Sequence, residues 1–270
     1  MPTESQQRTE TSPSLRRSLL IQRRVLHALM MRELITRFGR ENLGLLWIVA
    51  EPMLFTLGVT TLWTLAGLHS GSSIPIVAFA VTGYSSVLMW RNSASRASAA
   101  VQQNKQLLFH RNVRILDVLL TRTVLEIGGA TASFIALSAA FIFVGWMPPP
   151  DDPLEVIGGW LMLAWFGTSL ALVIGAGTAF SEVVDRIWHP VAYLLFPLSG
   201  AAFMVDWLPE DFQKAVLFLP MVHGTEILRE GWFGTAVPPH YDVAYMAFCC
   251  LVLSLAGLYL QREASLRVEF

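Results

Sequence analysis

Long apolar runs separated by short polar segments occupy the chain from residue 43 onward. A helix crosses a bilayer with roughly 20 consecutive apolar residues. The run from Pro52 to Trp90 contains no Asp, Glu, Lys or Arg and is too long for one crossing, and His69–Ser73 with Pro75 divides it. The pattern predicts an all-α polytopic membrane protein with six transmembrane helices, at about 43–68, 74–90, 118–146, 156–181, 187–205 and 243–260.

The connections between these runs are mostly short. Pro148–Pro153 predicts a stiff turn after the third span, and Glu182, Asp185 and Arg186 predict a tight polar turn after the fourth. Residues 1–18 are polar and lack the apolar core of a signal peptide, which predicts a disordered cytoplasmic tail. The organisation expected is therefore this tail followed by one transmembrane domain at 19–270.

The stretch Met30–Pro52, MMRELITRFGRENLGLLWIVAEP, joins an amphipathic half to an apolar half. Met31, Leu34 and Phe38 recur at helical spacing, with arginines on the opposite side. This predicts an N-terminal amphipathic interface helix whose arginines meet lipid phosphates. Glu51 follows just inside the first span, where a carboxylate is costly and needs a partner. A basic anchor followed by an ordinary signal-anchor helix is the alternative.

Two longer polar segments interrupt the pattern. Arg91–Arg122 contains the apolar triplet Leu107–Phe109 among basic residues, which is typical of a docking surface or of a short helix lying on lipid. Asp206–Asp242 contains two short helical patterns bounded by prolines. They predict two short re-entrant periplasmic helices between spans five and six, tolerated at membrane depth only if buried in protein or lining a cavity.

Basic residues are distributed unequally between the two sets of loops. Lys214 and Arg229 fall on one side, and the other 17 of the 19 Lys and Arg residues fall on the other. By the positive-inside rule, both termini are cytoplasmic. The Trp residues mostly fall near span ends, where an interfacial belt and a sugar-stacking path are alternative interpretations.

Composition and missing motifs narrow the function classes. The chain is 54% hydrophobic and 14% charged, against roughly 25% charged in soluble domains. It contains no phosphate-binding loop, no H-E-x-x-H and no G-x-S-x-G. Adjacent Cys249 and Cys250 lack metal-ligand spacing and are interpreted as packing residues. Because Asp and Glu are nearly absent from the spans, an ion relay is disfavoured. Transport driven by a partner fits better than a secondary transporter or an intramembrane hydrolase.

Three segments carry a family resemblance. RELITRFGRENLGLLWIVAEP resembles the opening motif of capsular polysaccharide export permeases, the membrane subunits of ABC-2-type exporters. NKQLLFHRNVRILDVLLTRTVLE is similar to that family's segment between spans two and three. LPMVHGTEILREGWF resembles its outer motif, with Leu219 where the family usually has Asn, a departure that puts a local helix cap in doubt.

The resemblance implies a function and a set of partners. The chain would be the permease subunit of an ATP-driven exporter that moves lipid-linked acidic capsular polysaccharide from cytoplasm to periplasm across the bacterial inner membrane. It would pair with a second copy of itself, two cytoplasmic ABC ATPase subunits, and periplasmic and outer-membrane capsule export proteins. ATP and Mg would be bound by the ATPase, with no cofactor or metal on this chain and no nucleic-acid partner. An ABC-2 permease for O-antigen, teichoic acid or a small molecule, and a glycan-modifying membrane enzyme, are the alternatives.

The same reasoning assigns candidate residues to three places. Substrate binding and access are assigned to Arg32, Arg37, Phe38, Arg40, Trp47, Glu51, Trp90 and Arg91. ATPase coupling, near 104–117, is assigned to Asn104, Leu107, Leu108, Phe109, Arg111, Arg114 and Asp117. The periplasmic exit is assigned to His223, Glu226, Arg229 and Glu230. Their spacing favours a structural cluster of polar side chains over a metal site. Glu51 is expected to pair with Arg32, Arg37, Arg40 or Arg91, and Asp117 with Arg114 or Arg122.

Overall fold

The computed structural model describes residues 15–38, 44–67, 74–104, 113–236 and 238–268, without the side chains of 15–18, 36–38, 44–48 and 267–268. Within these ranges all regular elements are helical, which confirms the all-α prediction. The helices are α1 (Leu15–Phe38), α2 (Gly44–Leu65), α3 (Ile76–Gln103), α4 (Ile115–Val144), α5 (Pro153–Phe180), α6 (Glu182–Leu198), α7 (Glu210–Val216), α8 (Pro220–Phe233) and α9 (Val243–Val268), with 3₁₀ turns at Val205–Trp207 and Gly234–Ala236.

Three described helices are long and apolar enough to cross a membrane by length and composition. They are α4, α5 and residues Val243–Leu266 of α9. Helix α2 contains a shorter apolar stretch, Val49–Leu65. These helices coincide with apolar runs that the sequence identifies as spans.

Helix α3 lies at the centre of the bundle. Every residue from Val77 to Trp90 is buried, so this part of the helix is covered on all sides. It packs against α2, α4, α5, α6 and α8. A helix surrounded by other helices needs small side chains where backbones approach, and the GYSS and SASRASAA stretches supply them.

Helix α3 is also longer than the second predicted span, which was placed at 74–90. It continues past Trp90 to Gln103, in agreement with a polar segment, Arg91–Arg122, that is long enough to carry the second helix below the membrane. The continuation is stable because Ala94, Ala97 and Ala100 are completely buried, and alanine favours helix. The charged residues of this segment therefore project from a helix rather than from a loop.

Helix boundaries follow local chemistry. The proline-rich stretch between α4 and α5 is non-helical, as predicted, and Asp152 caps α5 by accepting hydrogen bonds from the backbone N–H groups of Leu154 and Glu155. The predicted polar turn at Glu182, Asp185 and Arg186 is wrong, because these residues form the first turns of α6. Ser181 alone separates α5 from α6, and it caps α6 through the N–H of Val183. Carboxylates near a helix N-terminus are stabilising, so their presence marks a helix start.

The two short helices predicted within Asp206–Asp242 are present as α7 and α8, and their re-entrant position stays a prediction. Leu219 is the N-cap of α8 and provides no side-chain acceptor, which bears out the doubt about a cap at this position. Pro220 at the first helical position offsets part of the loss, because it has no N–H to satisfy.

The contact between α5 and α8 gives a first prediction. A Cβ added to Gly159 would lie 2.6 Å from the backbone nitrogen of Leu228, whereas one added to neighbouring Gly158 would meet nothing within 4 Å. Gly159→Ala must therefore separate α8 from α5, and we expect it to lower the unfolding temperature of the detergent-purified protein by several degrees. Gly158→Ala should leave that temperature unchanged or slightly raised. Equal melting of the two variants would show that this close approach is not needed.

Candidate functional site

An open polar cavity of 620 Å³ lies between α1, α3, α4 and α6. It includes the C-terminal end of α3 and the N-terminal part of α4. Its lining contains four arginines and one glutamate, so cationic side chains outnumber anionic ones. The lining residues are Arg32, Glu33, Arg91, Asn92, Ser95, Arg96, Ala99, Gln103, Asn104, Arg122, His189, Ala192 and Tyr193. The volume falls in the range of small-molecule sites.

Helix α1 closes one side of this cavity through two contacts. The Arg32 guanidinium donates to the Asn104 side-chain oxygen at 2.8 Å. The Arg122 guanidinium forms an ion pair with Glu33 at 3.0 Å, and it also donates to Gln103 at 2.7 Å. Because the Arg122 and Glu33 side chains are only 10% and 14% exposed, this pair is well shielded from water. It fixes α1 against α4.

Arg96 connects three helices at the cavity wall. Its guanidinium lies 2.8 Å from the Glu51 carboxylate on α2 and 3.7 Å from the Glu126 carboxylate on α4. A basic partner for Glu51 was predicted, but the predicted partners were Arg32, Arg37, Arg40 and Arg91. Arg96 follows Arg91 by five positions on a helix with 3.6 residues per turn, so their side chains leave α3 in different directions.

Arg91 lies among aromatic rings. Its guanidinium carbon is 5.9 Å from the ring centres of Phe55 and Tyr193 and 5.2 Å from that of Phe196. Such cation–π contacts hold a guanidinium in place without neutralising its charge. Among the described residues, the structure gives Arg91 no carboxylate partner.

The ends of the segment proposed for ATPase coupling are both tied to the bundle. Asn104 accepts from Arg32 and is buried, and Asp117 is buried at the start of α4. Asp117 accepts hydrogen bonds from the backbone N–H of Arg114 and from the side chain of Gln22 on α1. The expected partner Arg114 thus binds Asp117 through its backbone, while Arg122 pairs with Glu33 instead.

Several assigned residues lie outside the described part. They are Arg40, Leu107, Leu108, Phe109 and Arg111, together with the side chains of Arg37, Phe38 and Trp47. Among the described substrate residues, Arg32 and Arg91 line the cavity, and Glu51 is bound to its wall through Arg96. Trp90 does not join them, because its side chain is completely buried in the core beside Phe166.

Arg229 is a fully buried cation at the opposite end of the bundle. Its guanidinium donates to the backbone carbonyls of Gly200, Phe203 and Ala201 at 2.6, 2.7 and 2.9 Å, and it stacks 4.0 Å from the ring centre of Phe79. Burial lowers the pKa of Arg229 to about 10, so it remains charged at neutral pH. The space it needs exists because residue 83 is glycine, where a Cβ would lie 2.5 Å from the guanidinium.

His223 and Glu226 complete this buried group. Glu226 accepts a hydrogen bond from the N–H of Val205, and burial raises its pKa. His223 accepts at Nδ1 from the N–H of Asp242 and therefore donates from Nε2 to the carbonyl of Leu217. Burial lowers its pKa, which favours the neutral ring. Through these hydrogen bonds, His223 and Glu226 connect α8 to the segments that precede and follow it.

Glu230 lies at the edge of this outer group. The Tyr241 hydroxyl donates a hydrogen bond to the Glu155 carboxylate at 3.2 Å. The pKa of Tyr241 is raised, chiefly by a hydrogen bond with Glu230. In the part of the chain that the structure describes, no group of three or more His, Cys, Asp or Glu residues is arranged to hold a metal ion. The contacts of His223, Glu226 and Arg229 connect α8 to the loops before and after it, and the assignment of this cluster to the periplasmic exit stays a prediction.

Sequence reasoning missed several cavity residues. Arg96, Arg122, Glu33, His189 and Tyr193 come from four different helices, and no local motif connects them. The available signal is the excess of basic residues in Arg91–Arg122, which was interpreted as a docking surface or a short helix lying on lipid, with only Arg91 assigned to substrate binding.

Comparison with known proteins identifies the family. Residues 24–233 match the family described as ABC-2 type transporter. The chain is 42% identical over 252 residues to the capsule polysaccharide export inner-membrane protein CtrC of Neisseria meningitidis serogroup A, covering 93% of this chain and 95% of the relative. It is 39% identical over 256 residues to the capsule polysaccharide export inner-membrane protein BexB of Haemophilus influenzae, covering 95% and 97%. The polysialic acid transport protein KpsM of Escherichia coli is 24% identical over 247 residues, covering 90% and 94%. This chain belongs to the ABC-2 type transporter family.

Proposed function

We propose that this chain is the permease subunit of an ATP-driven exporter that moves lipid-linked acidic capsular polysaccharide from cytoplasm to periplasm. The single observation that carries the proposal is 42% identity, over 93% of the chain, to a protein named for capsule polysaccharide export. The name of the Escherichia coli relative specifies polysialic acid, an acidic polymer. A cavity lined by four arginines suits an anionic cargo.

The proposed topology has six spans in the inner membrane, formed by α2, the first part of α3, α4, α5, α6 and α9. Support comes from the three apolar helices α4, α5 and α9 and from the unequal distribution of basic residues. Both termini and the cavity then face the cytoplasm. Helix α1 lies along the inner surface of the membrane, and α7 and α8 enter the outer leaflet from the periplasm.

The proposed complex contains two copies of this chain and two cytoplasmic ATPase subunits that bind ATP and Mg. Periplasmic and outer-membrane capsule export proteins continue the route. The 104–117 segment is the proposed docking element, and it suits that role because its two ends are bonded to α1 through Asn104 and Asp117. A displacement of this segment would therefore move α1, which closes the cavity.

A mechanism follows from this arrangement. Arg32, with Arg37 and Arg40 nearby in sequence, captures the lipid phosphate at the inner surface, because guanidinium grips phosphate bidentately. ATP binding to the partner moves the coupling segments and favours the conformation that opens toward the periplasm. This chain performs no bond-breaking chemistry.

The docking proposal is tested by Phe109→Asp. A carboxylate in place of an apolar docking side chain should abolish co-purification of the ATPase, since a buried unpaired charge is strongly unfavourable at an interface. The measurement is the ratio of ATPase to permease after affinity purification in detergent. Phe212→Asp is the matched control, because Phe212 is 63% exposed on α7, at the other end of the bundle. Full ATPase recovery with Phe109→Asp would place the docking surface elsewhere.

A further inference from the structure

The four arginines of the cavity differ in what their guanidinium groups contact. Three of them hold a polar side chain at 2.8, 2.8 and 3.0 Å, namely Arg32, Arg96 and Arg122. Arg91 has neither an ion pair nor a hydrogen bond with another described residue, and three aromatic rings hold its guanidinium instead. The charge and the N–H donors of Arg91 are therefore available to a ligand in the cavity.

The three rings around Arg91 have different surroundings. Phe55 and Phe196 pack against each other, with 6.2 Å between ring centres, and both pack against Tyr84. Tyr193 has no ring partner among the described residues, is 71% exposed and lines the cavity. Phe55 and Phe196 thus position the guanidinium, while the Tyr193 ring offers its surface to a ligand.

The distance between the charge and the exposed ring suits one acidic sugar unit. The Arg91 guanidinium carbon lies 5.9 Å from the centre of the Tyr193 ring. In an acidic sugar the carboxylate is attached directly to the sugar ring, whose C–H groups form an apolar face. Such a unit can place its carboxylate on the guanidinium, through charge-assisted hydrogen bonds, and its C–H groups against the tyrosine ring. A phosphate group has no apolar face and would leave the tyrosine ring unused.

Polar side chains for the sugar hydroxyl groups lie one helical turn away on both helices. Ser95 follows Arg91 by four positions on α3, and His189 precedes Tyr193 by four positions on α6, so each pair shares a helix face. The Trp188 indole N–H joins the two helices here by donating to the Ser95 hydroxyl at 3.0 Å, which leaves the hydroxyl proton free to donate. His189 donates from Nδ1 to a carbonyl of its own helix, and its Nε2 is therefore an acceptor.

We propose that Arg91, Ser95, His189 and Tyr193 form a subsite for one acidic sugar unit of the transported glycan. The proposal rests on the proposed function, since an acidic capsular polysaccharide supplies such units in series. Arg91 binds the carboxylate, Tyr193 covers the C–H face, and Ser95 and His189 bind hydroxyl groups. Because the group recognised belongs to the repeating part of the polymer, successive units can occupy the same subsite during transport.

The binding test titrates the full-length chain, in phosphatidylcholine nanodiscs, with linear tetramers of sialic acid and of galacturonic acid. The comparison ligands are inorganic phosphate and the carboxamides of both tetramers, which keep the sugar rings but carry no charge. We expect an acidic tetramer to bind about tenfold more tightly than its carboxamide and than phosphate. Equal binding of tetramer and carboxamide overturns the proposal, as does a failure of both acidic tetramers to bind. Phosphate that binds as tightly as the tetramers also overturns it, because the sugar ring then contributes nothing.

The role of Arg91 is tested by a cycle between protein and ligand. Arg91→Gln should weaken binding of the acidic tetramer about tenfold and cause little further loss with the carboxamide, because both changes remove the same contact. Arg262→Gln is the matched control, since Arg262 is exposed on α9 outside the cavity. Equal losses with both ligands would show that Arg91 does not bind the carboxylate. If Arg91→Gln does not purify as a monodisperse protein, the comparison of tetramer and carboxamide on the unchanged protein still decides the question.

The role of Tyr193 is tested with two substitutions. Tyr193→Leu should weaken binding of the tetramer and of the carboxamide alike by about fivefold, because both ligands present the same C–H face. Tyr193→Phe keeps the ring and should recover most of that loss. Tyr259→Leu is the matched control, since Tyr259 is 63% exposed on α9 outside the cavity. Unchanged binding by Tyr193→Leu, or equal losses in the two Tyr193 variants, would remove the ring from the subsite.

These titrations use neither the ATPase nor transport. Binding with the expected pattern, together with normal surface capsule in a strain that lacks this chain, would overturn the proposed cargo and leave the sugar site standing. Absence of binding, together with loss of capsule in that strain, would overturn the subsite and leave the proposed cargo standing.

Discussion

Replacing Arg229 by methionine should lower the free energy of unfolding by about 3–5 kcal/mol. The guanidinium satisfies three backbone carbonyls after α6 at distances of 2.6–2.9 Å, and methionine offers them no donor. A loss of that size corresponds to a fall of roughly 10 °C in unfolding temperature for a chain of this length. The measurement is thermal unfolding of the purified protein in detergent, followed by tryptophan fluorescence.

Two further variants make the Arg229 result specific. Arg186→Met removes an arginine that is 77% exposed and should change stability by less than about 0.5 kcal/mol. Arg229→Lys keeps the charge but loses the planar array of donors, so it should melt close to Arg229→Met. If Arg229→Met unfolds at the same temperature as the unchanged protein, water or another donor satisfies these carbonyls. Arg229 then does not hold the loop after α6.

Replacing Arg91 by glutamine should reduce surface capsule at least tenfold without reducing the amount of permease in the membrane. Arg91 lines the cavity and has no carboxylate partner among the described residues, so its loss removes attraction for the proposed anionic cargo rather than a structural ion pair. Arg91→Lys keeps the charge but loses the planar contact with three rings, and we expect intermediate export. The readout is extracellular polysaccharide in a capsulated strain that carries each variant as its only permease.

The control for this second result removes the same charge elsewhere. Arg262 lies at an exposed position of α9, outside the cavity. A strain that carries Arg262→Gln should export capsule normally. Normal capsule in the Arg91→Gln strain would exclude Arg91 from cargo binding. A parallel fall in permease amount would assign the defect to folding instead.

The helices were predictable because their signals are local. Apolar runs, the proline-rich turn before Asp152 and the paired prolines around α7 and α8 each act within a few residues. The length of the polar segment after Trp90 allowed the second helix to continue below the membrane, but the residue at which α3 ends was not predictable. The arginines after Trp90 mark the end of the apolar run, while the helix continues because its alanines pack on neighbouring helices.

The cavity could be predicted only in part. That Glu51 needs a basic partner follows from its depth in an apolar run, but the choice of Arg96 depends on how α2 and α3 cross. The partners of Arg229 were beyond prediction for another reason. They are backbone carbonyls, which every residue possesses and which leave no mark on the sequence.

The central claim is that this chain provides a passage and borrows its energy from an ATPase. The most direct measurement reconstitutes the purified chain in proteoliposomes, with and without the proposed partner ATPase, and follows movement of fluorescent lipid-linked capsular polysaccharide across the bilayer. The account predicts transport only when both proteins and ATP with Mg are present, and none with the chain alone. Directional movement or chemical change of the glycan by the chain alone, without ATP, would contradict it.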